Sequence, residues 1–184
     1  VDGVASTVPV PTGFSGSLAR TLSDDGSRWA GQLLAPGSTT FPARFQASGA
    51  EPLPTPAGQP GLVRGSNHSG SVIAGTVGDV ACIWENGVHR TIEEIAYEAG
   101  LPEPIGWQFT VARGVSEDGL VIAGEGYRVE NGVLTPRGWV LDRRNPSPCS
   151  VHFRGQPTSR RISPGDSLIL SAPHLIATPS PMQW

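Results

Sequence analysis

The chain has 184 residues, enough for one domain with a sizeable core, and it carries 24 glycines and 18 prolines but only 16% charged residues. That balance excludes a framework of long helices and predicts short strands joined by tight turns, while 38% hydrophobic residues exclude a wholly disordered chain. A net charge of −3 argues against a nucleic-acid partner, and no apolar run approaches the roughly 20 residues of a membrane span.

Residues 1–18 form an N-terminal edge segment. A short strand is expected at 8–10, and because Pro9 and Pro11 cannot donate to a ladder it belongs at an edge or rim. The start at Val1 fits either removal of an export signal or a shortened chain. Three repeating units follow, at about 19–61, 62–110 and 111–142. A non-repeating, Pro-rich tail, partly docked, occupies 143–184.

The repeat is a phrase stated three times, with central glycines Gly26, Gly70 and Gly119 spaced 44 and 49 residues apart. An Arg stands six residues before each central glycine (Arg20, Arg64, Arg113). Ala-Gly stands four and five residues after it (Ala30-Gly31, Ala74-Gly75, Ala123-Gly124). A period of this length suits a stacked β unit such as a propeller blade. In the first unit, strands are expected at 27–34 and 41–46, then a Pro-rich loop at 51–61. The second unit predicts strands at 71–76 and 79–84, a hairpin at Asn86-Gly87 and a further strand from Val88. Thr91 then caps a short helix with Glu93 and Glu94 in its first turn, an apolar stripe of Ile92, Ile95, Ala96, Ala99 and Leu101, and a stop at Gly100. The third unit predicts strands at 107–111, 120–124 and 138–141 with a hairpin at Asn131-Gly132. A last strand is expected at 167–172, after the Pro164-Gly165-Asp166 turn. Period-two alternation pairs Ala43 with Phe45, Ala81 with Ile83 and Gly138 with Val140 on one face of their strands.

The run Ala112 to Gly124, A-R-G-V-S-E-D-G-L-V-I-A-G, resembles the HAF-type extracellular repeat of bacterial secreted and autotransporter-like proteins. Ala81-Cys82-Ile83-Trp84 resembles the strand that follows in such repeats, and Ala43-Arg44-Phe45-Gln46 is a weaker copy. The helix followed by Gly106-Trp107-Gln108-Phe109-Thr110-Val111 is similar to the family's closing repeat. The likeness covers about residues 19–142; the second unit departs from it in having His68-Ser69-Gly70 where the turn Asp would stand. What the resemblance implies is architectural: an all-β, propeller-like fold of antiparallel blades with one short helix insertion, in a protein that is secreted, periplasmic or on the cell surface. The family carries no agreed activity.

The candidate sites each have a bland counterpart. Arg20, Arg64 and Arg113 form a repeat-registered set that could bind an anionic glycan or carboxylate, or could pair locally. Among the five tryptophans, Trp107 and Trp184 lie outside the Ala-Gly strands and are the candidates for a sugar-stacking platform, whereas Trp84 and Trp139 read as packing. Ser23-Asp24-Asp25-Gly26-Ser27-Arg28-Trp29 is similar to the turn-stabilising Asp-box of sialidase-like propellers, one residue short. The acidic turns hold too few oxygens for Ca²⁺, and the four histidines have no metal-ligand spacing. No cofactor is expected. No nucleophile elbow, Walker loop or dinucleotide fingerprint is present. Cys82 and Cys149 can pair in an exported protein, or serve as small apolar residues in a reducing compartment.

The reading is a non-enzymatic binding or structural module, a subunit of a larger surface or extracellular assembly. A glycan-binding lectin or adhesin is the alternative, and a sialidase-like glycoside hydrolase a more distant one. Three units are too few for a propeller of four to eight blades, so the chain is expected to complete itself from its terminal segments or to bury surface against another copy or subunit.

Overall fold

Tight turns cut this chain into strands. At Asn86-Gly87 and Asn131-Gly132 both central residues take positive φ (52° and 84°, then 52° and 79°), the geometry of a two-residue turn whose twist matches the strands it joins. The computed structural model describes residues 7, 8, 10–99 and 106–144. Strands β1 (Gly16–Leu22), β2 (Trp29–Leu34), β3 (Thr40–Gln46) and β4 (Gly49–Pro52) form a first antiparallel sheet in chain order. The second sheet comprises β5 (Gly61–Ser66), β6 (Val72–Val77), β7 (Val80–Glu85) and β8 (Val88–Thr91). The third comprises β9 (Trp107–Val115), β10 (Val121–Glu130) and β11 (Val133–Asp142). Helix α1 (Ile92–Glu98) joins the second sheet to the third. It opens on a capping box in which Thr91 accepts from the Glu94 backbone and Glu94 accepts from the Thr91 backbone.

The sheets stack face to face and remain open. Among the described residues no sheet closes into a barrel or a propeller, which corrects the propeller-like, bladed architecture expected from the repeat and the resemblance. Ring closure would require the third sheet to pack on the first. Extensive contacts instead join the first sheet to the second and the second to the third, with none of similar extent between first and third. The free face of the first sheet is covered by chain from the N-terminal segment: Val8 and Phe14 pack on Leu33, Ala43 and Phe45, and Phe14 meets Phe41 edge-on. Val8 and Val10 lie outside any strand, so this segment works as a cover and not as the expected rim strand.

Two interiors hold the stack together. Between the first and second sheets lie Ala30, Leu53, Val63, Ile73, Val77, Cys82 and Trp84. Between the second and third lie Val72, Ala74, Ala81, Ile83, Phe109, Ala112, Ile122, Trp139 and Leu141, closed at one side by Ile92, Ile95 and Ala96 of α1. The second sheet is thus sandwiched, and every residue of β6 is buried. A strand covered on both faces must be apolar along its length, which is why V-I-A-G-T-V lacks alternation.

The register reveals which positions are equivalent. Gly31, Gly75 and Gly124 stand opposite Ala43, Cys82 and Trp139. Ala43-Arg44-Phe45 therefore corresponds to Cys82-Ile83-Trp84, one residue later than the small-then-apolar comparison of the sequence suggests. A slip of one residue exchanges faces. Phe45, Trp84 and Leu141 face the preceding layer, whereas Ala81 and Ile83 face the following one.

Candidate functional site

The repeated phrase builds one local device three times. Ser23, Asn67 and Ser116 open its turns, and their side-chain oxygens accept from the backbone N–H five residues on, at Arg28, Val72 and Val121. Gly26, Gly70 and Gly119 close the turns at φ of 68°, 68° and 77°. In the first and third copies the Asp two residues after the Ser receives that Ser hydroxyl and a backbone N–H, from Ser27 and Leu120 respectively. These bonds, the Ser23 hydroxyl first, hold the Asp25 carboxyl below the usual range at about 2, and the Ser116 hydroxyl lowers Asp118 in the same way. The second copy lacks the Asp. Buried Asn67 compensates, accepting from Val72 while its amide lies within reach of the Ser69 and Ser71 hydroxyls. Asn67, His68 and Ser69 are therefore part of a turn.

The arginines of the phrase have a shared structural position. Arg20, Arg64 and Arg113 are each the extra residue of a β-bulge in the first strand of their sheet, between Ala19 and Thr21, Val63 and Gly65, and Ala112 and Gly114. Each bulge drives a carbonyl onto the neighbouring strand. A Cβ on Gly31 would lie 1.8 Å from the Leu18 oxygen; on Gly75, 2.1 Å from that of Leu62; on Gly124, 2.1 Å from that of Val111. The Gly of Ala-Gly is thus required by close backbone approach, and the Arg marks the residue that causes it. The three first strands lie side by side in the stack, and all three arginines are exposed. Arg20 donates to Gln32 (3.1 Å), which in turn donates to the Val63 carbonyl of the next sheet (2.9 Å). Arg113 pairs with Glu125 at 2.5 Å. Arg64 makes no ion pair or hydrogen bond among the described residues. The set is a row of bulges, in which Arg20 and Arg113 have separate local partners.

The second position of each turn forms another row. His68 Nδ1 lies 2.6 Å from Asp24 and 3.9 Å from Glu117, so side chains of three successive copies meet at one end of the stack. His68, Ser116, Glu117 and Asp118 line a shallow, open depression there. No group of three or more His, Cys, Asp or Glu able to hold a metal occurs among the described residues.

Trp107 is half-buried, stacks on Phe109 (centroids 5.7 Å, planes 7° apart) and has the Arg128 guanidinium 5.7 Å from its ring. Trp184, Cys149 and the expected strand at 167–172 lie outside the described residues. Cys82 is a free, fully buried thiol whose pKa burial pushes up to about 12. Trp84 is buried over Gly75, and its indole N–H donates to the Pro54 carbonyl at 2.8 Å, tying the inter-sheet loop to the core.

One feature had no expectation in the sequence. Where β6 ends at Val77, the equivalent β10 runs on from Gly126 for four more residues, and β11 begins correspondingly early. The resulting hairpin projects past the stack and displays Tyr127, Val129, Val133 and Leu134 at 41–64% exposure. The alternation Tyr127-Arg128-Val129-Glu130 before Asn131-Gly132 is the signal that could have shown the longer strand. Comparison of the chain with family models, with curated proteins and with solved structures gave no match. No helix among the described residues is long and apolar enough to cross a membrane.

Proposed function

We propose that the chain is an exported, non-enzymatic β-repeat module that works by protein–protein contact within a larger assembly. The observation that carries this reading is the projecting β10–β11 hairpin. Tyr127, Val129 and Leu134 share one face of its exposed part, with Val133 on the other beside Glu130, and clustered apolar exposure of this kind marks interaction surfaces. The polar groups of the repeat support it from the other direction. Ser23, Asp25, Asn67, Ser116 and Asp118 are engaged in holding their own turns, and Arg113 is engaged by Glu125. Export rests on the resemblance to the extracellular repeat.

Sedimentation of the native protein from its source, beside the purified chain, tests the proposal. The native material is expected to sediment well above the 19.2 kDa of the single chain. A Val129→Lys, Leu134→Lys variant is expected to lose the larger species while keeping its thermal transition. A native monomer, or a variant that assembles like the parent, would overturn the reading.

A further inference from the structure

The bulges account for the glycines of the repeated phrase, not for its arginines. A bulge needs one extra residue and sets no requirement on that residue's side chain. Arg20, Arg64 and Arg113 nevertheless fill it in all three copies, each exposed on the edge strand of its sheet. These edge strands touch one another. The Thr21 and Ser66 hydroxyls lie 2.9 Å apart, and a Cβ on Gly65 would lie 2.9 Å from the Arg113 carbonyl oxygen. Like charges brought this near repel, so the row is unfavourable until anions offset it.

What each arginine meets is decided by the residue directly after Ala-Gly, which is Gln32, Thr76 or Glu125. In the third copy the Glu125 carboxylate pairs with Arg113. In the first, Gln32 is 1% exposed and accepts from Arg20 Nε at 3.1 Å. Gln32 is itself fixed by donating to the carbonyl of Val63, the residue before Arg64, at 2.9 Å. Both terminal nitrogens of Arg20 stay unbonded among the described residues, and they form the fork that holds a carboxylate by two parallel bonds. In the second copy the Thr76 hydroxyl lies instead against the carbonyls of Gly78, Val80 and Thr110. Arg64, the middle cation, has no partner among the described residues. The third copy thus displays a carboxylate on the row, and the second displays the cation without one.

We propose that Arg64, with the Arg20 fork beside it, binds the carboxylates of an acidic polysaccharide laid across the three first strands. Among the described residues the three arginines have one carboxylate partner, Glu125, so the row stays net positive on a chain of net charge −3. The row runs from sheet to sheet, so a ligand that follows it crosses the strand edges. Such a ligand cannot extend a ladder, which is how an extended peptide gains affinity at a sheet edge. Between the arginines lie Thr21, Ser66, Gly65 and Gly114, a surface of hydroxyls and bare backbone that suits a hydroxyl-rich chain. One cation per sheet matches charges borne on separate sugar rings, and is far sparser than the one charge per ~1.7 Å of a nucleic-acid duplex.

Calorimetric titration of the full chain at low salt tests the site, with oligogalacturonate as the probe. The parent is expected to bind the oligomer and not its methyl ester, which keeps the sugars and loses the charges. Arg64→Gln should weaken binding at least about tenfold while leaving the thermal transition unchanged. Glu125→Gln releases Arg113 and should tighten binding about threefold, a gain that misfolding cannot mimic. No binding, or binding indifferent to either substitution, would overturn the proposal. A methyl ester that binds equally, or galacturonate monomer that binds as tightly as the oligomer, would overturn it too. Tighter binding of an oligoglutamate of equal charge would overturn it in favour of an acidic peptide. None of these outcomes moves the hairpin reading, whose readout is the size of the native assembly.

Discussion

The second and third sheets carry the same phrase, the same bulge and the same turn, and yet they differ in what covers them. The second has a sheet on either side, so β6 and residues 81–84 of β7 are buried on both faces; the third is buried on the Ile122, Trp139 and Leu141 face. The difference shows that the phrase encodes the layer, while position in the stack decides how much of that layer meets solvent. Packing follows accordingly. Trp84 fills the sandwiched side of the second sheet and still reaches a carbonyl, whereas the Trp139 indole N–H, buried against Gly124, has no partner among the described residues.

The comparison breaks most severely at the bulge. Gly75→Val would drive a side chain into the Leu62 carbonyl and the Trp84 ring, and we expect a loss of more than about 4 kcal/mol, read as failure to show a cooperative melt. Gly124→Val should act alike in the third sheet. Gly114→Ala, with open space around its Cβ, should stay within about 0.5 kcal/mol. Should both glycines of the third sheet prove equally tolerant, the bulge explanation of the phrase fails.

Truncating Trp84 to Ala should cost about 3–5 kcal/mol in denaturant unfolding, since it removes a buried indole and orphans the Pro54 carbonyl. Arg143→Ala should cost about 1 kcal/mol, because it breaks a bidentate pair linking the second sheet to the end of the third. The Arg143 hydrogen bond lowers the Glu85 pKa. The stabilisation is therefore complete above the usual carboxylate range and lost as pH falls from that range through the lowered native value, so parent and variant should converge in acid.

The turn carboxylates follow the same sign with a smaller effect. Asp25→Asn and Asp118→Asn should lower the melting temperature slightly near neutral pH. Because both carboxyls are held below their usual range, the gap should close as pH falls below that range, for Asp25 from about 4 toward 2. A gap that widens in acid would show that the turn bonds are not made by the charged form. The smallest effect is expected at the hairpin, where Val129→Lys alone should change stability by less than about 0.5 kcal/mol while altering assembly.

Much of the fold was legible from local chemistry. Asn-Gly pairs located the hairpins, Thr91 with Glu94 located the helix start, and the turn glycines divided the units, because each of these depends on only a few neighbouring dihedrals or bonds. The four-residue strands β4 and β8 were harder to read, the first being missed, because so short a run has no period of its own. The exposure of the β10–β11 extension depends on how far the neighbouring layers reach, which no local pattern records. That the arginines of the phrase occupy bulge positions was not legible, because a bulge is set by a pairing register across strands.

By itself, then, the sequence determined the repeat, the turns and the all-β character, since spacing of glycine, serine and aspartate dictates them within a single unit. Only the tertiary structure decided that the units stack as open layers and do not close a ring. That outcome depends on which faces of successive sheets meet, and face selection turns on a register in which one residue of slip moves every side chain to the other side.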